Sequence, residues 1–133
     1  MIIDHAHNIQ ASMNANASAS NNQTGYVSWA DYPVGAEQGM AVFPTYGGQT
    51  ISMTGTVIAT IVPPAPAGFV RVVEQFFLTN NDNATDILSV QITAQNNANN
   101  NSVFYKASML TLANWVYVRG IGWKNQSAAG LSL

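Results

Sequence analysis

Cysteine is missing from this chain of 133 residues and charge nearly so, with four Lys and Arg, six Asp and Glu, a charged share of 8% and a formal net charge of −2. Without cysteine there are no disulfides and no thiolate metal sites, and the redox compartment leaves no mark on the sequence. The charged share lies far below the roughly 25% of ordinary soluble domains. Arg71, Lys106, Arg119 and Lys124 are the whole cationic complement. Phosphate binding needs Lys and Arg in clusters, so nucleic acid is not an expected partner. No apolar run approaches the roughly 20 residues of a membrane-spanning helix, so no membrane association is expected. The start, MIIDHAHN, has Asp4 where a signal peptide carries basic residues, and no apolar stretch follows. Synthesis in the cytoplasm without general secretion is the expectation. A sustained period of 3.6 residues is also lacking, which argues against major helices.

What the chain does have is 47% hydrophobic residues and a polar complement of Asn, Gln, Ser and Thr. These side chains hydrogen-bond well but repel one another little, a surface suited to a protein held in an assembly. The length predicts a single folded domain. Residues 1–24 read as an extended N-terminal arm, because NIQASMNANASASNNQT from Asn8 to Thr24 is nearly devoid of large apolar groups. Such a segment cannot by itself offset an ordering cost of about 1–2 kcal/mol per residue. It therefore lies either against its own domain or against a neighbouring subunit, with Ile2, Ile3, Ile9 and Met13 as its apolar anchors.

Residues 25–133 read as the folded domain, organised around Gly68 to Gln95. Two runs rich in Val, Ile and Phe flank Asn80, Asn81, Asp82 and Asn83, and Asn and Asp favour turns, so the stretch predicts an antiparallel hairpin. A strict period of two puts Val70, Val72, Phe76 and Leu78 on one face, interrupted by Glu74, with Arg71, Val73, Gln75 and Thr79 opposite. Leu88, Val90 and Ile92 alternate with Ser89, Gln91 and Thr93. Further strands are predicted at Tyr26 to Ala30, at Met40 to Phe43, and from Thr50 to Val62 with a bend at Gly55. The last is closed by Pro63, Pro64 and Pro66. Beyond the polar loop from Ala94 to Ser102, Ser102 to Ala107 is a strand and Met109 to Ala113 a short connection. Trp115 to Trp123 is read as one strand, with Trp115, Tyr117, Arg119, Ile121 and Trp123 on one face and Val116 and Val118 on the other. Leu131 to Leu133 offers a last edge. Seven or eight short strands with turns between them predict an all-β chain, an antiparallel β-sandwich of jelly-roll-like form.

Three clusters invite chemistry. Asp4, His5 and His7 are metal-ligand types, yet the spacing matches no established site and a solvated turn accounts for them. The oxygens of Asn80 to Asp86 suit calcium, but a turn requires the same residues and the bidentate Glu of a calcium loop is missing. Trp115, Tyr117 and Trp123 could stack a sugar ring, form the edge of a core, or, with Arg119, anchor a subunit interface. Glu74, set into an apolar run, is expected to pair with Arg119 or Arg71 or to mark an opening in the sheet. No GxSxG, HExxH or GxxxxGK[ST] motif is present. Hence no enzyme activity, catalytic residue, cofactor or bound metal is expected.

The run VPPAPAGFVRVVEQFFLTNNDNATDILSVQI, a proline-containing lead, a strand, an LTN polar turn and a second strand, resembles small β-sandwich proteins of tailed-bacteriophage virions. The likeness spans about Thr56 to Leu133 and leaves out the Asn-rich first 24 residues. It implies a virion structural protein made in the host cytoplasm, a capsid decoration or head-surface protein or else a tail or fibre component. It also implies a homo-oligomer, preferably a trimer, whose partners are major capsid or tail proteins. In such a particle residues 1–24 would dock on adjacent subunits. The alternative is a receptor-recognition module of a tail or fibre that binds a host-surface glycan through Trp115, Tyr117 and Trp123.

Overall fold

Alternating burial along nearly every stretch of this chain reflects its period-two patterning, and the computed structural model is all-β among the residues described, 1–14, 23–35, 43–82, 85–94, 101–109 and 112–126. The expected strand at Met40 to Phe43, the loop from Ala94 to Ser102 and the edge at Leu131 to Leu133 lie wholly or mainly outside them, and the ends of that loop, Ala94, Asn101 and Ser102, belong to strands. Ten strands are described: β1 (Ile2–Ile3), β2 (His7–Met13), β3 (Gln23–Pro33), β4 (Thr45–Met53), β5 (Ala59–Val62), β6 (Phe69–Thr79), β7 (Asp86–Ala94), β8 (Asn101–Met109), β9 (Asn114–Val118) and β10 (Gly122–Gln126). They form two antiparallel sheets. The larger runs β10-β9-β6-β3-β4 with β1 also on β6, and the smaller runs β5-β2-β7-β8.

β6 is the spine of the larger sheet. One edge pairs with β3 along its whole length, and the other is shared by β1, at Arg71 and Val72, and β9, from Gln75 to Thr79. Between those two partners lies Glu74, which has no partner on β3, because Ser28 pairs with Gln75 and Trp29 with Val73. This is a β-bulge, and one extra residue moves every later side chain to the other face. Val73, Phe76 and Leu78 therefore all reach the core. The strict alternation expected for this strand, with Val70, Val72, Phe76 and Leu78 together, fails at that residue.

The core lies between the sheets. Val27, Trp29, Ile51, Met53, Val73, Phe76, Leu78 and Trp115 of the larger sheet meet Ile9, Ala11, Met13, Ile61, Leu88, Val90 and Met109 of the smaller. At roughly 1.5–3 kcal/mol per fully buried large apolar side chain, this set is the main driving force of the fold.

Several expectations are corrected here. The first fourteen residues are no arm. β2 is an internal strand between β5 and β7 and buries Ile9 and Met13, while Ile3 is buried and Ile2 is 67% exposed. Alternation of small polar and apolar residues in NIQASM suffices, because Ala11 fills a strand position that needs little volume. The expected hairpin of Gly68 to Gln95 is instead an arch, since β6 and β7 belong to different sheets. Asn80 and Asp82 of its turn are buried, and Asn80 is anchored. Asn80 N–H donates to Ala113 O at 3.0 Å, Leu112 N–H donates to Asn80 O at 2.8 Å, and Asn80 Nδ2 donates to Met109 O at 3.1 Å. The stretch from Thr50 to Val62 is likewise two strands, β4 and β5, in opposite sheets, with Gly55 at φ 93° in the passage between them. Trp115 to Trp123 is a hairpin, turned by Gly120 at φ 80°.

Candidate functional site

The residues singled out from sequence are dispersed. Tyr117 and Trp123 face each other across the β9-β10 hairpin, so both stay on one side although the strand reverses. That side is the interior. Trp115 is 9% exposed and donates its indole N–H to Ser108 O at 3.2 Å. Tyr105 stacks on Trp123 with ring centroids 4.1 Å apart, and Phe76 meets the same indole edge-on at 5.3 Å. Burial pushes the Tyr105 phenol up to about 12. Of the three readings open for Trp115, Tyr117 and Trp123, the packing fits the edge of the core, with Trp115 buried and Tyr117 and Trp123 partly buried against it.

Asp4 accepts from the Ala6 N–H at 2.9 Å and lies 2.6 Å from His7 Nδ1, a closed turn between β1 and β2. The His7 hydrogen bond holds the Asp4 carboxyl below the usual range. Among the described residues no three His, Asp or Glu converge. In the arch after β6, Asn80 Oδ1 accepts from the Asp82 N–H at 3.1 Å, an Asx turn. Gln23 Nε2 lies 3.4 Å from both Asn80 Oδ1 and Asp86 Oδ2. Burial, with the charge of Asp82 beside it, pushes the Asp86 carboxyl up.

Arg71 and Arg119 have different roles. Arg71 is buried, makes a bidentate pair with Asp31 at 2.8 Å for both bonds, donates to Pro63 O, and lies over the Trp29 ring at 4.2 Å from its centroid. Arg119 points away from the buried aromatics and donates to Glu74 Oε1 at 2.7 Å. This is one of the two pairings expected for Glu74.

The Glu74–Arg119 pair lies in an open cleft of about 730 Å³ on the outer face of the larger sheet. Strand alternation in YVSWADY puts Val27, Trp29 and Asp31 inward and presents Tyr26, Ser28 and Tyr32 outward, where they line the cleft with Tyr46. Tyr26 is 48% and Tyr46 74% exposed. Gly47 and Gly48 keep the neighbouring strand low. A side chain at Gly47 would come within 2.7 Å of the Trp29 indole nitrogen, and one at Gly48 would strike the Tyr26 phenol and the Val27 carbonyl. The Tyr32 hydroxyl and the Glu74 carboxylate both hydrogen-bond the Arg119 guanidinium and raise its pKa. The lining thus combines tyrosine rings with a fixed acceptor and a fixed donor of cancelling charge.

A second, apolar groove of about 260 Å³ is lined by Met1, Ile2, Ile3, Ile9, Ile92 and Phe104. Phe104 is itself a bulged residue, since Val90 pairs with Tyr105 and Gln91 with Val103. It is 44% exposed, and Val103 beside it 54%.

Sequence reasoning missed both surfaces. The outward alternation of Tyr26, Ser28 and Tyr32 was there to be read, but which face would be dry, and the return of Glu74 beside them, depended on the bulge. No family model matches this chain, and no curated protein or solved structure matches it either.

Proposed function

We propose that this chain is a structural component of a tailed-bacteriophage virion, a capsid decoration or head-surface protein that works as a homo-oligomer, preferably a trimer, seated on major capsid or tail proteins. The observation that carries the assembly reading is the apolar groove. Ile2 and Phe104 line it and are exposed, in a chain with only 8% charged residues. Apolar surface left open beside an edge strand is the signature of an interface. The docking role read from sequence in residues 1–24 passes to this groove, which Met1, Ile2, Ile3 and Ile9 build as part of the sandwich. Alternation of the chain between the two sheets at most of its connections supports a jelly-roll-like reading of the fold. The phage assignment itself rests on the likeness of Thr56 to Leu133 to virion sandwiches. The protein would be made in the host cytoplasm and end in the particle.

Density-banded particles from a host carrying the gene test this. Quantitative mass spectrometry should find the chain in a fixed ratio to the major capsid or tail protein, and antibody raised against it should label the particle surface. Recovery of the chain only from the soluble lysate contradicts the proposal.

A further inference from the structure

We infer that the outer-face cleft of the larger sheet is a binding site for a short, neutral pyranose oligosaccharide. A pyranose ring has an apolar C–H face and a rim of hydroxyls that both donate and accept, and the cleft offers a partner for each. Tyr26 and Tyr46 expose flat rings suited to the C–H face. Glu74 accepts and Arg119 donates, and both are already oriented, by each other and by the Tyr32 hydroxyl, so little order has to be imposed on binding. Ser28 supplies a further hydroxyl. The volume, about 730 Å³, is that of an ordinary small-ligand site.

The same features select against other ligands. The positive charge of Arg119 is matched by Glu74, so the cleft has no surplus with which to hold a phosphate or sialate. A proline-rich peptide also docks on open aromatic faces, so decaproline is the competing ligand in the test. Among the described residues Glu74 is the only carboxylate in the lining, whereas glycoside cleavage takes two, so the inference is of binding alone. Gly48 is part of the device, because a larger residue would displace the Tyr26 ring from its place over β4.

This site is independent of the virion proposal, since it uses no residue of the apolar groove. The test is an array of defined neutral and acidic oligosaccharides probed with the whole chain, followed by calorimetry on the best neutral binder and on a decaproline peptide. Saturable binding of a neutral saccharide is expected, weakened at least tenfold by Tyr46→Ala and by Arg119→Ala, and unchanged by Ile121→Ala on the adjacent turn. Melting temperatures of the variants close to wild type separate loss of the site from loss of the fold. Gly48→Val should reduce binding as well. Absence of any saccharide binding, binding unaffected by Tyr46→Ala and Arg119→Ala, or binding of decaproline alone would overturn the inference.

Discussion

At the scale of single residues, the buried ion pair Arg71–Asp31 and the buried carboxyl of Asp86 have consequences that differ in sign. Arg71 and Asp31 are buried together, with side-chain exposures of 8% and 9%, and their mutual bonds, the Pro63 carbonyl and the Trp29 face satisfy the guanidinium. Removing one partner leaves an uncompensated buried charge, whereas replacing both with apolar groups can be close to neutral. Arg71→Met alone should cost about 3–5 kcal/mol in urea unfolding. The double variant with Asp31→Leu should recover most of that loss, and a double variant no better than the single one would show that the pair is not the relevant interaction. Asp86 behaves oppositely. Its carboxyl is pushed up by burial and then by Asp82, so its folded pKa lies above the unfolded one. The folded chain gains from the bound proton at low pH, and that gain is lost as pH rises from about 4 through the raised value. Asp86→Asn should therefore raise the urea midpoint at pH 7, with the advantage disappearing near pH 4. A variant less stable than wild type at pH 7 would contradict this.

At the scale of elements, the bulges decide where the surfaces lie. Glu74 at the bulge of β6 meets Arg119 on the outer face, and Phe104 at the bulge of β8 lines the apolar groove. Deleting Glu74 should move Phe76 and Leu78 out of register with the core and abolish the cooperative thermal transition. Glu74→Gln keeps the extra residue and should lose only the exposed ion pair, so its cooperative transition should stay close to wild type. Deleting residues 1–14 removes β2, an internal strand, and should give an insoluble or unfolded product. A soluble fragment with a sharp transition would restore the idea of a detachable arm.

The all-β class and the one-faced character of β7 were legible because period-two patterning is a local signal, and a lone acid in an apolar run marked Glu74 as special while leaving its partner open between Arg119 and Arg71. The sheet assignment of β6 and β7 was not. An Asn-rich turn reads alike in a hairpin and in an arch, and only Asn80, pinned to Met109 and Ala113, shows which it is. β2 escaped for the opposite reason. Ala11 and the Asn, Gln and Ser of its sequence carry little apolar signal, although Ile9 and Met13 are buried. Trp115, Tyr117 and Trp123 stayed open between a core edge, an interface and a glycan platform, because such rings suit all three equally well. The cleft residues Tyr26, Tyr46, Gly48, Glu74 and Arg119 come from three strands and a turn, a convergence invisible without the register.

At the scale of the whole molecule, low charge and open apolar groups belong to one account, in which neighbouring subunits complete what the isolated sandwich leaves uncovered. Ile2 and Phe104 are both exposed, so replacing them with serine should leave the core intact while removing the apolar rim of the groove. The most direct measurement is the mass in solution, by light scattering, of the wild-type chain and of the Ile2→Ser, Phe104→Ser double variant at matched concentration. The account predicts an oligomer, three times the 14.2 kDa chain mass in the preferred case, that falls to a monomer with an unchanged melting temperature in the variant. A wild-type monomer, or an oligomer indifferent to both substitutions, would contradict it.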